Sequence, residues 1–193
     1  LDDETMPGAS STTKAEVLLR ASSLLQSKLP EFANRIHIVI DDDIPQSLQN
    51  NEVLTVQITG GTFDYGAMSG GGAAVIPYQG TLRVAIWSAN RVDRAGVSTG
   101  MLTLSGRGLL RLQTKILKAL MGSYLQEVEA GGDGYTPCLI DCIKPTSDTQ
   151  PQSAGKGEGT TVQKATLAVD FSVDFKWNLE GDSDNEPEGI TAP

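Results

Sequence analysis

Ala165-Thr166-Leu167-Ala168-Val169-Asp170-Phe171-Ser172-Val173-Asp174-Phe175-Lys176-Trp177 is the stretch that decides the fold. Every second residue from Ala165 to Trp177 is apolar or small, while Lys164, Thr166, Ala168, Asp170, Ser172, Asp174 and Lys176 take the other parity. Successive side chains of a strand point to opposite faces at a rise of roughly 3.3 Å per residue, so this reads as one long half-buried strand. Such a strand needs neighbours to pair with and an apolar layer to cover its greasy face.

Upstream, Arg35 to Ile40 is short and β-branched, Glu52 to Gly60 is a second run of strand character, and Val75 to Ala89 a third, with Leu82, Val84 and Ile86 alternating with Arg83, Ala85 and Trp87. Pro77 places the first half of that third run at a sheet edge or bend. Cys138 to Ile143 reads as a short strand. Two helices supply the covering layer. Thr13 and Glu16 have the spacing of a capping box, and Val17, Leu18, Ala21, Leu24, Leu25 and Leu29 recur at helical steps until Pro30. The second helix is predicted between about Thr99 and Leu125, with Leu109, Leu112, Ile116 and Leu120 on one face and Arg107, Arg111, Lys115 and Lys118 on the other. The expected fold is α+β: a mostly antiparallel sheet of about four to five strands covered by two main helices, with long flexible loops at 61 to 75 and 144 to 161. Residues 1 to 12 read as a flexible arm, 13 to 179 as one domain, and 180 to 193 as an acidic disordered tail.

The 193 residues suffice for one domain with a real core, and no apolar run approaches the roughly 18 residues of a membrane span. Fifteen Lys and Arg against 24 Asp and Glu give a formal charge of −9, which argues against wrapping nucleic acid as the main task. Two cysteines and no opening signal sequence lead us to expect a reducing cytoplasm.

Catalytic equipment is thin. His37 is the one histidine, so a Ser-His or Cys-His mechanism would have to use it, and two- or three-His metal sites are excluded. The glycines between Gly60 and Gly72, and between Gly155 and Gly159, do not continue into the Gly-Lys-Ser/Thr of a phosphate loop. Asp41-Asp42-Asp43 lacks the alternating ligands of a calcium loop and reads as a solvated acidic turn. Cys138 and Cys142, four apart on the expected strand, would lie roughly 13 Å apart and unbridged. The residues that remain are the basic row Arg107, Arg111, Lys115 and Lys118, either a solvated face or a dock for an acidic patch on a neighbouring copy, and Phe63, Tyr65 and Met68. The last three are read as buried against another chain, with packing onto their own domain as the rival reading. No catalytic residue, metal or cofactor is expected.

The helix Ala15 to Leu29 running into Arg35-Ile36-His37-Ile38, the strand Thr81 to Trp87, the helix Leu109 to Leu125 and the late strand Leu167 to Phe175 together resemble the tail terminator (tail completion, or neck) family of long-tailed bacteriophages. The likeness spans most of residues 13 to 178 and lies in element order and apolar period; the long loops at 61 to 75 and 144 to 161 depart from the smaller members. What the resemblance implies is a non-enzymatic virion protein, assembled in the host cytoplasm. It would form a homohexameric ring that stops tail-tube growth and joins the tail to the head connector or adaptor. Its partners would be the tail tube protein, the connector and, in a contractile tail, the sheath protein, with DNA merely passing through the lumen. Six copies would carry about −54 before screening, and an acidic lumen would let DNA pass without sticking. A head-completion adaptor of the same neck is the near alternative; a small hydrolase or nucleotide-binding enzyme is the distant one.

Overall fold

The computed structural model describes residues 12–40, 52–64, 75–88, 109–128, 134–149, 152–154 and 164–178. Its centre is an open sheet. β8 (Lys164–Asn178) pairs antiparallel with β3 (Val75–Ser88) in unbroken register from Val75↔Asn178 to Ser88↔Ala165. β2 (Val53–Phe63) adds antiparallel to β3, and β1 (Ile36–Ile38) adds parallel to β2 at the edge. On the other side of β8 lie β6 (Lys144–Asp148) and β7 (Gln152–Ala154), which gives the order β1-β2-β3-β8-β6 with β7 also on β8. β4 (Glu127–Val128) and β5 (Tyr135–Thr136) form a separate two-stranded ribbon. The architecture is the expected α+β arrangement, mixed only through β1.

The alternation of β8 sorts its side chains as expected: Leu167, Val169, Phe171, Val173 and Phe175 are buried in one cluster with Leu82, Val84 and Ile86 of β3 and Leu54 and Val56 of β2. Helix α1 (Lys14–Lys28) contributes Val17, Ala21 and Leu25 to that cluster, and α2 (Leu109–Leu120) contributes Leu109, Leu112, Ile116 and Leu120, so both helices cover the same face. The opposite face carries a second, smaller cluster of Val53, Ala85, Trp87 and Ala168. Beside it the Trp87 indole N–H donates to Thr55 Oγ1 at 3.1 Å, and the Arg83 guanidinium grips both oxygens of Asp170 at 2.8 and 3.0 Å.

Local chemistry fixes the helix ends. The capping box is formed: Glu16 N–H donates to Thr13 Oγ1 at 3.2 Å, and Thr13 N–H donates to Glu16 Oε2 at 2.7 Å. Burial alone would disfavour the charged Glu16 carboxylate. The hydrogen bonds from Thr12 and Thr13, with Arg20 nearby, outweigh that and hold its pKa below the usual range. Pro30 ends the helix and starts a 3-10 turn, Pro30–Phe32, that buries Phe32. Helix α2 stops at Leu120, short of the predicted Leu125, because Gly122 takes a left-handed φ of 79° and turns its N–H to the Ile143 carbonyl at 3.0 Å. The predicted helical residues before Leu109 lie outside the described residues.

Three readings are corrected. Cys138 to Ile143 is an irregular turn in place of a strand: the Tyr124 carbonyl accepts from the N–H of both Cys138 and Leu139, and Asp141 Oδ1 accepts from Cys142 N–H. Its buried residues, Cys138, Leu139 and Ile143, have no period of two, and both cysteines are free thiols. The expected loop at 144 to 161 contains β6 and β7, and the loop at 61 to 75 gives up Gly61–Phe63 to β2 and Val75 to β3; residues 65–74, 150–151 and 155–161 lie outside the described residues. Thr12, assigned to the arm, is buried and bridged to Trp177, its N–H donating to the Lys176 carbonyl at 2.7 Å. Pro77 sits beyond the last β2 pair, Phe63↔Tyr78, where its missing N–H breaks no ladder bond to β2.

Candidate functional site: a cationic groove between the helices

The solvent side of α2 follows from its pattern. With Leu109, Leu112, Ile116 and Leu120 turned to the sheet, Arg111 and Lys118 are exposed and Lys115 is half-buried. Packing of α2 on the end of α1 brings Lys28 beside them. Lys28, Leu29, Glu31, Lys115, Lys118 and Ala119 line a groove of about 240 Å³. Lys115 Nζ meets Glu31 Oε1 at 2.5 Å, and this ammonium donor holds the Glu31 carboxyl below the usual carboxylate range. Arg35 stacks on the Phe32 ring at 4.6 Å and donates to the Glu31 backbone carbonyl at 2.5 Å.

Lys28, Lys115 and Lys118 thus line the groove with Glu31 as the one acidic residue among its described lining, and Arg111 stands exposed one turn earlier on α2. Arg111 and Lys118 make no ion pair among the described residues. Like charges three and four residues apart on a helix repel by roughly 0.2–0.5 kcal/mol per pair, so an anion laid along the row relieves a built-in cost. Leu29 and Ala119, both buried, contribute apolar surface to the groove between the lysines. The arrangement is suited to holding carboxylates.

Of the residues singled out from sequence, Arg111, Lys115 and Lys118 share this face, whereas Arg107, Tyr65 and Met68 lie outside the described residues. Phe63 is elsewhere. It stacks on Trp177 with ring centroids 5.2 Å apart and meets Tyr78 edge-on at 5.1 Å, in an aromatic corner completed by Phe175. Lys14 Nζ sits over the Trp177 and Tyr78 rings at 4.6 and 4.8 Å. Phe63 thus packs on its own domain while 37% of its surface stays exposed. Lys28 was missed; the signal was a basic residue in the last turn of α1, indistinguishable in sequence from ordinary complementation of the helix dipole.

His37 lies in β1 opposite Thr55, and its buried Nε2 makes no hydrogen bond among the described residues; Asp41 to Asp43 lie outside them. No group of His, Cys, Asp and Glu able to hold a metal occurs among the described residues. No described helix is long and apolar enough to cross a membrane. A second depression, about 490 Å³, runs beside α1 between Leu19, Leu24, Leu125 and Tyr135. No protein-family model matches the chain, and no curated protein matches it.

Proposed function

We propose that this chain is a structural subunit that assembles with copies of itself into a ring, of the kind the tail terminators form at the neck of long-tailed phages. There it would cap the tail tube and join it to the head connector or adaptor. A contractile tail would add the sheath protein as a partner, and DNA would cross the lumen. The observation that carries the reading is a cationic groove on a chain whose formal charge is −9: opposed charge surfaces on one molecule favour head-to-tail association of identical copies. The order of elements, with both helices on one face of the sheet, supports it as well, since it is the order on which the resemblance rests.

The mass of the purified particle tests this. Six chains of 20.4 kDa give about 120 kDa. A strict monomer at high concentration overturns the proposal. Given a ring, capping of purified tail tubes separates a terminator from a head-completion adaptor, which would bind filled heads instead.

A further inference from the structure

The acidic and basic residues of this chain are unevenly placed. The chain carries 24 Asp and Glu against 15 Lys and Arg. The densest acidic stretch follows β8: Glu180, Asp182, Asp184, Glu186 and Glu188, with no Lys or Arg from 179 to 193.

The spacing of those acids is strictly two. In an extended chain, residues two apart project to one side, and their separation is about 6.6 Å. On α2, Arg111 and Lys115 are four residues apart and Lys115 and Lys118 three, which at 1.5 Å per residue is about 6 Å and 4.5 Å. An extended 180–188 segment therefore presents carboxylates at nearly the pitch at which α2 presents cations, and flexible lysine stems absorb the remainder. Lys28 widens the cationic strip at the α1 end.

Reach decides which copy supplies the segment. Trp177 is bridged to Thr12 and lies under Lys14, at the start of α1, whereas the groove lies at Lys28, at its end. A helix of 15 residues is about 22 Å long. Roughly seven extended residues would be used in crossing that distance, leaving Glu186 and Glu188 to engage their own groove. A neighbouring copy can lay down all five.

We propose that the α1–α2 groove is the docking site for the acidic 180–188 segment of a second copy. This deepens the ring reading and rests on it. Each copy donates a segment and receives one, a heterologous contact that closes into a ring when the rotation between copies permits.

The test uses three full-length variants, followed by sedimentation across a concentration series. The first carries Arg111→Glu and Lys118→Glu, leaving the Lys115–Glu31 pair intact. The second carries Glu180→Gln, Asp182→Asn, Asp184→Asn, Glu186→Gln and Glu188→Gln. The third joins the first pair of substitutions to Glu180→Lys, Asp182→Lys and Asp184→Lys. The proposal expects at least tenfold weaker self-association in the first two, recovery in the third, and a salt-sensitive assembly of the unaltered chain. If the unaltered chain assembles and the second variant assembles equally well, the segment is not the docking element, while the ring reading stands. If the unaltered chain is monomeric, both fall. Circular dichroism on each variant separates lost docking from lost folding: weakened assembly with an altered spectrum in the first variant, and no recovery in the third, counts against the groove.

Discussion

At the scale of single residues, Gly61 and Gly80 face each other across β2 and β3, and the Tyr78 ring lies over both. A Cβ on Gly61 would stand 2.2 Å from the Gln79 carbonyl oxygen, which belongs to the backbone and cannot step aside. A Cβ on Gly80 would meet the Tyr78 ring at 2.6 Å, and a ring can swing. Gly61→Ala is therefore expected to lower stability by about 2–3 kcal/mol, with Gly80→Ala milder, read from urea denaturation of the two variants side by side. Asp170 is the second telling residue. The Arg83 guanidinium, assisted by the Ser147 hydroxyl at 3.0 Å, holds its carboxyl below the ordinary aspartate value of 3.8 against the effect of burial. Folding thus favours the ionised form, so this contribution is complete above that ordinary value and fades as pH falls through the lower folded-state value. Asp170→Asn should cost about 2 kcal/mol at pH 7, a charge-assisted pair being lost, and the loss should shrink toward pH 2; a denaturation series across pH 2 to 7 measures both.

At the scale of elements, β8 is both the most legible segment and the one on which the sheet depends, flanked by β3 on one edge and by β6 and β7 on the other. Phe171 is fully buried at its centre. Phe171→Asp should abolish cooperative unfolding or lower stability by more than about 4 kcal/mol, because a carboxylate there finds no partner among Leu82, Pro145 and their apolar neighbours. Retention of the original thermal midpoint would contradict the assigned face. The α1 cap is a smaller matter: Thr13→Ala removes one of two reciprocal bonds and should cost about 1 kcal/mol, with the same measurement deciding. β6 shows where element-level reading fails. Lys144-Pro145-Thr146-Ser147-Asp148 is exposed throughout and has no apolar period. It pairs because β8 has a free edge. The Thr146 hydroxyl donates to the Asp170 carbonyl at 3.1 Å and Thr149 Oγ1 accepts from Ala168 N–H at 2.8 Å, reinforcing a ladder interrupted between Pro145 and Ser147.

At the scale of the whole molecule, the acidic stretch after β8 differs in composition from the segments that form the core. Among the described residues the core cluster runs from Val17 to Phe175, and residues 180–188 offer no large apolar side chain to add to it. A chain ending at Leu179 should therefore keep its thermal midpoint to within about 2 °C; loss of soluble protein would mean that the stretch belongs to the fold. Self-association of the complete chain should weaken as salt rises from 0.05 to 0.5 M, since contacts between exposed charges are screened over a Debye length that shrinks from about 14 to 4 Å.

Periodicity made much of this legible beforehand. The faces of β3 and β8, the apolar stripes of both helices and the capping box at Thr13 depend on neighbours two, three or four residues away, and a sequence states those relations outright. Its charge arithmetic likewise established that the chain is acidic while one side of α2 is basic. Tertiary structure decided what distant segments do to one another. It set Lys28 beside Lys115 and Lys118, turned Phe63 onto Trp177, drew an unpatterned segment onto the edge of β8 and made Cys138 to Ile143 a turn. Each of these depends on surfaces that come together only when elements far apart in the chain pack, and no local period encodes which surfaces those will be.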